Sequence, residues 1–128
     1  MEIILCLAML QLKHMIVDWC WQPPYEWQNK GTYAHWGGVR HALKNAVGTA
    51  VCFLPFVSVN VMLPVFVLVV VGDFVAHYHI DFLKMNINRI KGWGPTTHEQ
   101  FWWLTGADQT LHQLCYVLWL AIVFVIMV

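Results

Sequence analysis

Between Val57 and Val71 the chain runs through a long apolar stretch, then meets Asp73, His77, Asp81 and Lys84 in quick succession. On a helix these four residues fall at i, i+4, i+8 and i+11, which is one face. Carboxylate, imidazole and ammonium groups are costly to place in hydrocarbon, so such a stripe at the end of a membrane-length helix points to function. Two other segments repeat the spacing of four, His14 with Asp18 and Asp108 with His112.

The surrounding composition decides what kind of fold can carry these pairs. With 59% hydrophobic and 11% charged residues in 128, and a mean hydropathy of +0.57, the chain is too apolar for a soluble domain and far from disorder. At roughly 20 residues per span, the expectation is an all-α, polytopic membrane protein. It is a single domain over 1–128, with four transmembrane helices in an up-down bundle. The helices are expected at about 3–21, 39–55, 62–88 and 107–128. Pro23-Pro24 stops the first, because neither proline can donate a hydrogen bond.

Two segments are expected at the headgroup level. The stretch 24–37 brings Tyr25, Trp27, Lys30, Tyr33 and Trp36 together, and amphipathic rings beside cations suit that depth. The stretch 97–104, with Trp102-Trp103, reads as a surface helix capped by Thr96 or Thr97, with Glu99 or Gln100 completing a capping box. The turn around 55–64 contains no charge. Met1-Glu2 gives no positive n-region and no small-residue cleavage site follows, so 1–21 reads as a retained helix rather than a signal peptide. Cys6, Cys20, Cys52 and Cys115 have no CxxC spacing and read as small buried apolar residues.

In up-down order, the end of helix 1, the start of helix 2, the end of helix 3 and the start of helix 4 share one side. His14 and Asp18, His41, His77 and Asp81, and Asp108 and His112 therefore arrive at one depth. All seven Lys and Arg lie on that same side, which the positive-inside rule makes cytoplasmic. Both termini are then outside, and the site opens at the inner leaflet.

His/Asp pairs on neighbouring helices are how bundles present metal ligands. The expected ligands are His14, Asp18, His41, His77, Asp81, Asp108 and His112, enough for one or two divalent ions: zinc, manganese or magnesium. Asp81, Asp108 and His77 are the catalytic candidates. Two ions suit phosphoryl chemistry by polarising the phosphoryl oxygen and generating hydroxide. Arg40, Lys44 and Lys84 are candidates for holding phosphate, with Gln22 and Gln109 as orienting groups. Asp73, one turn deeper, is placed to orient His77. Each signal has a plainer reading. A single His–Asp pair is more often a structural hydrogen bond, the Trp cluster more often an interfacial belt, and His35, His79 and His98 suit packing better than ligation.

At these residues the chain resembles a family of small membrane proteins from bacteria and their phages, filed as a domain of unknown function. The pattern is His-x3-Asp-x3-Gln at His14, Asp18 and Gln22, then a His, then His-x3-Asp-x2-Lys at His77, Asp81 and Lys84. Asp-Gln-x2-His follows at Asp108, Gln109 and His112. Lys13 departs from it, and either His35 or His41 fills the second slot. The resemblance implies a bacterial inner-membrane location and a phage-encoded source. It brings no established activity, though the chain is also similar to membrane-bound metal-dependent hydrolases.

Three functions compete on this reading. The first is a metal-dependent hydrolase acting on a phosphorylated or lipid-linked substrate, such as a phospholipid, at the cytoplasmic leaflet. The second is an ion or proton transporter or channel, which the apolar outer helix halves disfavour. The third is a non-enzymatic phage membrane protein that binds a host partner. The lipid bilayer is the expected partner, exposed apolar helix faces admit a homodimer, and no nucleic acid is expected.

Overall fold

A computed structural model describes residues 1–57 and 59–126. Ser58 in the expected turn, and the last two residues of the expected final helix, lie outside the described residues. The chain forms α1 (Glu2–Met15), α2 (Pro24–Trp27), α3 (Trp36–Phe53), α4 (Val59–Lys91) and α5 (Glu99–Ile126). A π-helical turn, Ile16–Cys20, extends α1, and a short 3-10 turn, Leu54–Phe56, follows α3. The helices α1, α3, α4 and α5 pack in a closed ring, with α3 against α4 and α1, and α5 joining α4 to α1.

Three segments are long and apolar enough to cross a membrane, Glu2–Cys20, Leu63–Lys91 and Glu99–Val125. This corrects the expectation of four. The helix α3 spends its inner face on His41, Asn45 and Thr49, all fully buried, and carries Arg40 and Lys44 besides. Its outward side is still an apolar stripe of Leu43, Val47 and Val51, continued by Leu54 in the following turn, each exposed, at helical spacing.

The bundle has one apolar end and one polar end. Cys6, Leu10, Phe53, Val57, Val69 and Val123 fill the first. All four cysteines are free, and Cys20 is exposed rather than buried. The helix α4 has 33 residues, which at 1.5 Å per residue is about 50 Å, longer than a hydrocarbon core of about 30 Å. Its polar residues lie in the C-terminal half. There it stops in a Schellman turn: Gly92 N–H donates to Arg89 O at 3.4 Å and Trp93 N–H to Asn88 O at 3.0 Å. Gly92 sits at φ +67°, where a side chain would be strained.

The expected surface helix at 97–104 is not separate. It forms the start of α5, which runs straight through Gly106. One glycine costs a helix only about 1 kcal/mol, and the Thr105 and Thr110 hydroxyls bond back to Phe101 O and Gly106 O. Nor does the capping box form. The Thr97 hydroxyl pairs with Gly94 O and with the His98 ring.

Candidate metal centre

Each helix delivers its polar residues to the same end of the ring. The widened turn at Ile16–Cys20 carries Asp18, with Trp21 N–H reaching back five residues to Ile16 O at 2.7 Å; such turns recur at functional sites. The helix α3 starts where His35 Nδ1 accepts from Gly37 N–H, which gives His35 a capping role and leaves the second slot to His41. The loop between α2 and α3 is tied onto α4: Tyr78 OH accepts from Ala34 N–H at 2.6 Å, and Asn86 donates to Gly31 O at 3.0 Å. That docking swings Lys30 over the centre, its Nζ 2.8 Å from Asp81 Oδ2.

Four donor atoms meet there. His41 Nε2 lies 3.0 Å from His77 Nε2, 3.0 Å from Asp18 Oδ1 and 3.4 Å from Asp81 Oδ2. His77 Nε2 is 3.4 Å from each of those oxygens. Ligands bound tetrahedrally at zinc-like distances are about 3.3–3.4 Å apart; three of these five separations match that edge, and the two at 3.0 Å are shorter. The Asn45 amide nitrogen presses on one face, 2.9 Å from Asp18 Oδ1 and 3.0 Å from His77 Nε2.

A second group adjoins the first through Asp81. Its other oxygen, Oδ1, is 3.8 Å from His112 Nε2, which is 3.7 Å from Asp108 Oδ1. His112 Nε2 and Asp108 Oδ1 are buried and have no hydrogen-bond partner. Buried polar atoms ordinarily find one, and an acidic oxygen beside an imidazole nitrogen is a donor set a divalent ion fits. The His77 and His112 rings stack with centroids 4.1 Å apart. Within Asp81–Asp108–His112 and within His41–His77–Asp81, the candidate ligand atoms all lie within 4.8 Å of one another.

The remaining expected residues divide. His14 stands just outside these groups, with Nε2 2.8 Å from Gln109 Oε1 and Nδ1 2.9 Å from Tyr116 OH. Gln109 also donates to Asp108 Oδ2 at 2.9 Å. Gln22 donates instead to the Asp18 backbone carbonyl, while its residue lines the cleft leading to the centre. Lys84 Nζ is 3.2 Å from Asp108 Oδ2.

Arg40 and Lys44 do not face the cleft. They grip Glu26, at 2.8 Å and 2.6 Å, because α2 lays that fully buried carboxylate across the outer side of the start of α3. Burial pushes the Glu26 carboxyl up, and the hydrogen bonds from Lys44 and Arg40 outweigh it, leaving the group below its ordinary range. Glu26 Oε2 is 3.5 Å from His41 Nδ1, on the side of that ring away from the centre.

Asp73 also departs from expectation. It does not orient His77. It accepts from the Thr49 hydroxyl at 2.7 Å and Trp119 Nε1 at 3.1 Å, and lies 3.7 Å from Lys13 Nζ. Lys13 in turn donates to Asn45 and to Tyr116 OH. His79 is exposed and bonds its own helix at Val75 O. Lys30, Glu26, Asn45 and Tyr116 were missed as site residues. Asn45 and Tyr116 were visible in principle, each one turn after a ligand histidine, whereas Lys30 and Glu26 lie in a segment with no periodicity to read.

Fold and site together define a class: a helical bundle with three helices of membrane-spanning length and a buried His/Asp cluster at one end. The chain belongs to the family described as "Protein of unknown function (DUF3307)", whose family model matches residues 6–128. No curated protein and no solved structure matches it.

Proposed function

We propose that this chain is an integral-membrane metal-binding protein. It holds one or two divalent ions at His41, His77, Asp18, Asp81, Asp108 and His112, and hydrolyses a phosphorylated or lipid-linked substrate at the cytoplasmic leaflet. The observation that carries this reading is the buried cluster of imidazole nitrogens and carboxylate oxygens, with Asp81 reaching into both groups. Imidazole nitrogens beside carboxylates favour zinc or manganese over magnesium, which prefers oxygen.

A bound divalent ion would supply Lewis acidity and a water acidified enough to act as nucleophile near neutral pH. The chain's own residues do the rest. Gln109 and Tyr116 hold the His14 ring, Lys84 and Lys30 bring positive charge to the carboxylates, and Asn45 fixes Asp18. In the reaction the water oxygen attacks phosphorus, the P–O ester bond breaks, and the departing alkoxide takes up a proton. Sidedness follows from charge, since the lysines and arginines belong to the site half of the chain. With the start of α1 and the described end of α5 at the apolar end, those helix ends face outward.

Transport has less support. The polar chain from His14 through Tyr116 and Lys13 stops at Asp73, and Leu10, Phe53, Val69 and Val123 fill the bundle beyond it. The test is release of inorganic phosphate from dihexanoyl phosphatidic acid by detergent-purified protein. We expect release that chelation stops, that zinc or manganese restores, and that is lost in D81N and H77A. No release with zinc, manganese or magnesium would contradict the hydrolase reading.

A further inference from the structure

A cleft of 610 Å³ opens beside the centre, between the polar end of α4, the Gly92–Pro95 turn and the start of α5. Its size suits a small amphiphile, since ligand sites run about 300–1,000 Å³. Its lining combines two chemistries. Trp27, Met85, Trp93 and Phe101 are aromatic or apolar, and Lys30, Lys84 and Arg89 are cationic. Asp81 also lines it and belongs equally to the metal centre. A smaller polar cleft shares Lys30, Asp81 and Lys84 with it and continues to Asp18 and Asp108.

A further observation points to a ligand. Asn88 lines the cleft, is 8% exposed, and its side-chain oxygen has no partner. A buried acceptor in that condition is ready for a donor from outside. Lys30 is equally buried, at 8%, and its ion pair with Asp81 holds a cation where the cleft meets the centre. The depth of the mouth selects the kind of molecule. Trp19, Trp21, Trp27, Trp36, Trp102 and Trp103 are all exposed around this end of the bundle, a belt that marks the headgroup level.

We infer that the cleft binds a lipid bearing a phosphate monoester, with the phosphate between Lys30 and Lys84 and the chain against Trp27, Trp93 and Phe101. This rests on the hydrolase reading and names its substrate class. The lysines meet the phosphate, the aromatic residues cover the first carbons of the tail, and Asn88 Oδ1, an acceptor, takes a P–OH or hydroxyl donor between them. A soluble phosphate ester would leave the aromatic residues bare.

The experiment is quenching of tryptophan fluorescence in chelated, detergent-purified protein, so that no turnover occurs. The probes are dihexanoyl phosphatidic acid, dihexanoylglycerol and inorganic phosphate, and metal content is measured separately on the untreated protein. We expect phosphatidic acid to bind at least tenfold tighter than either other probe. K84Q should weaken it about tenfold, and R89Q, at an exposed position, several-fold without disturbing the fold. W93A should weaken phosphatidic acid and leave inorganic phosphate unchanged. Equal affinity for dihexanoylglycerol, equal affinity for inorganic phosphate, or no binding would overturn the inference. Metal present without lipid binding overturns the cleft alone, and lipid binding without metal overturns the metal reading alone.

Discussion

The Nε2 atoms of His41 and His77, from facing helices α3 and α4, lie 3.0 Å apart in a buried site. One Nε2–H would make this a neutral N–H···N hydrogen bond, whereas with both rings in the Nδ1–H tautomer the facing lone pairs call for a cation between them. Asp18 and Asp81 make the same demand from either side. A divalent ion should therefore stabilise the fold by mass action, by about 2.7 kcal/mol at a hundredfold excess over its dissociation constant. Zinc or manganese should raise the thermal midpoint of chelated protein. The shift should vanish in the H41A/H77A double variant.

Gly72 is a packing requirement at the middle of α4. A Cβ there would sit 2.7 Å from the outer edge of the Trp119 ring, and that indole also donates to Asp73. Gly106 on α5 is exposed, with nothing within 4 Å of an added Cβ. G72A should cost about 1–3 kcal/mol by overpacking, while G106A should gain about 0.5–1 kcal/mol from helix propensity. Opposite shifts of the midpoint in denaturant titration would bear this out, and parallel shifts would contradict the packing.

Lys13 and Asp73 form a buried pair, with side chains 6% and 2% exposed. D73A strands the ammonium, and breaking such a pair from one side costs about 3–5 kcal/mol. K13M/D73N should recover most of that loss, because Thr49 and Trp119 remain beside the neutral amide. Unfolding in mixed micelles separates the two, and a double variant no more stable than D73A would contradict the pairing.

The spacing of His14 with Asp18, His77 with Asp81, and Asp108 with His112 was legible because helical periodicity fixes which residues share a face. Antiparallel order then places those faces at one end of the bundle. Periodicity does not fix how far a helix is rotated against its neighbours. Arg40 and Lys44 were assigned to phosphate for that reason, although their side of α3 meets Glu26. The same limit hid Asp73, which turns toward Trp119 rather than His77. Lys30 reaches the centre only because Tyr78 and Asn86 tie its loop to α4, a long-range contact with no local signature. The surface helix at 97–104 failed differently, since Gly106 weakens a helix without ending it.

Glu26 gives the fold a dependence on pH of definite sign. Its carboxyl is more acidic folded than unfolded, so the unfolded chain binds the proton more readily. Its contribution is complete above the unfolded value of about 4.5 and drains away as pH falls through the lower folded value. E26Q should lower the thermal midpoint by a constant amount above pH 5, equivalent to about 1.5–3 kcal/mol for a charge-assisted hydrogen bond. The gap to the unsubstituted protein should narrow toward pH 3. A gap that widens with acid would reverse the assignment.

The central claim is most directly tested by elemental analysis of the detergent-purified protein, with H41A/H77A beside it and helicity checked by circular dichroism. One to two equivalents of zinc or manganese per chain, falling below a tenth in the double variant at unchanged helicity, is the result expected. Fully helical protein that emerges from gentle purification without metal, or a double variant that keeps its full complement, would contradict it.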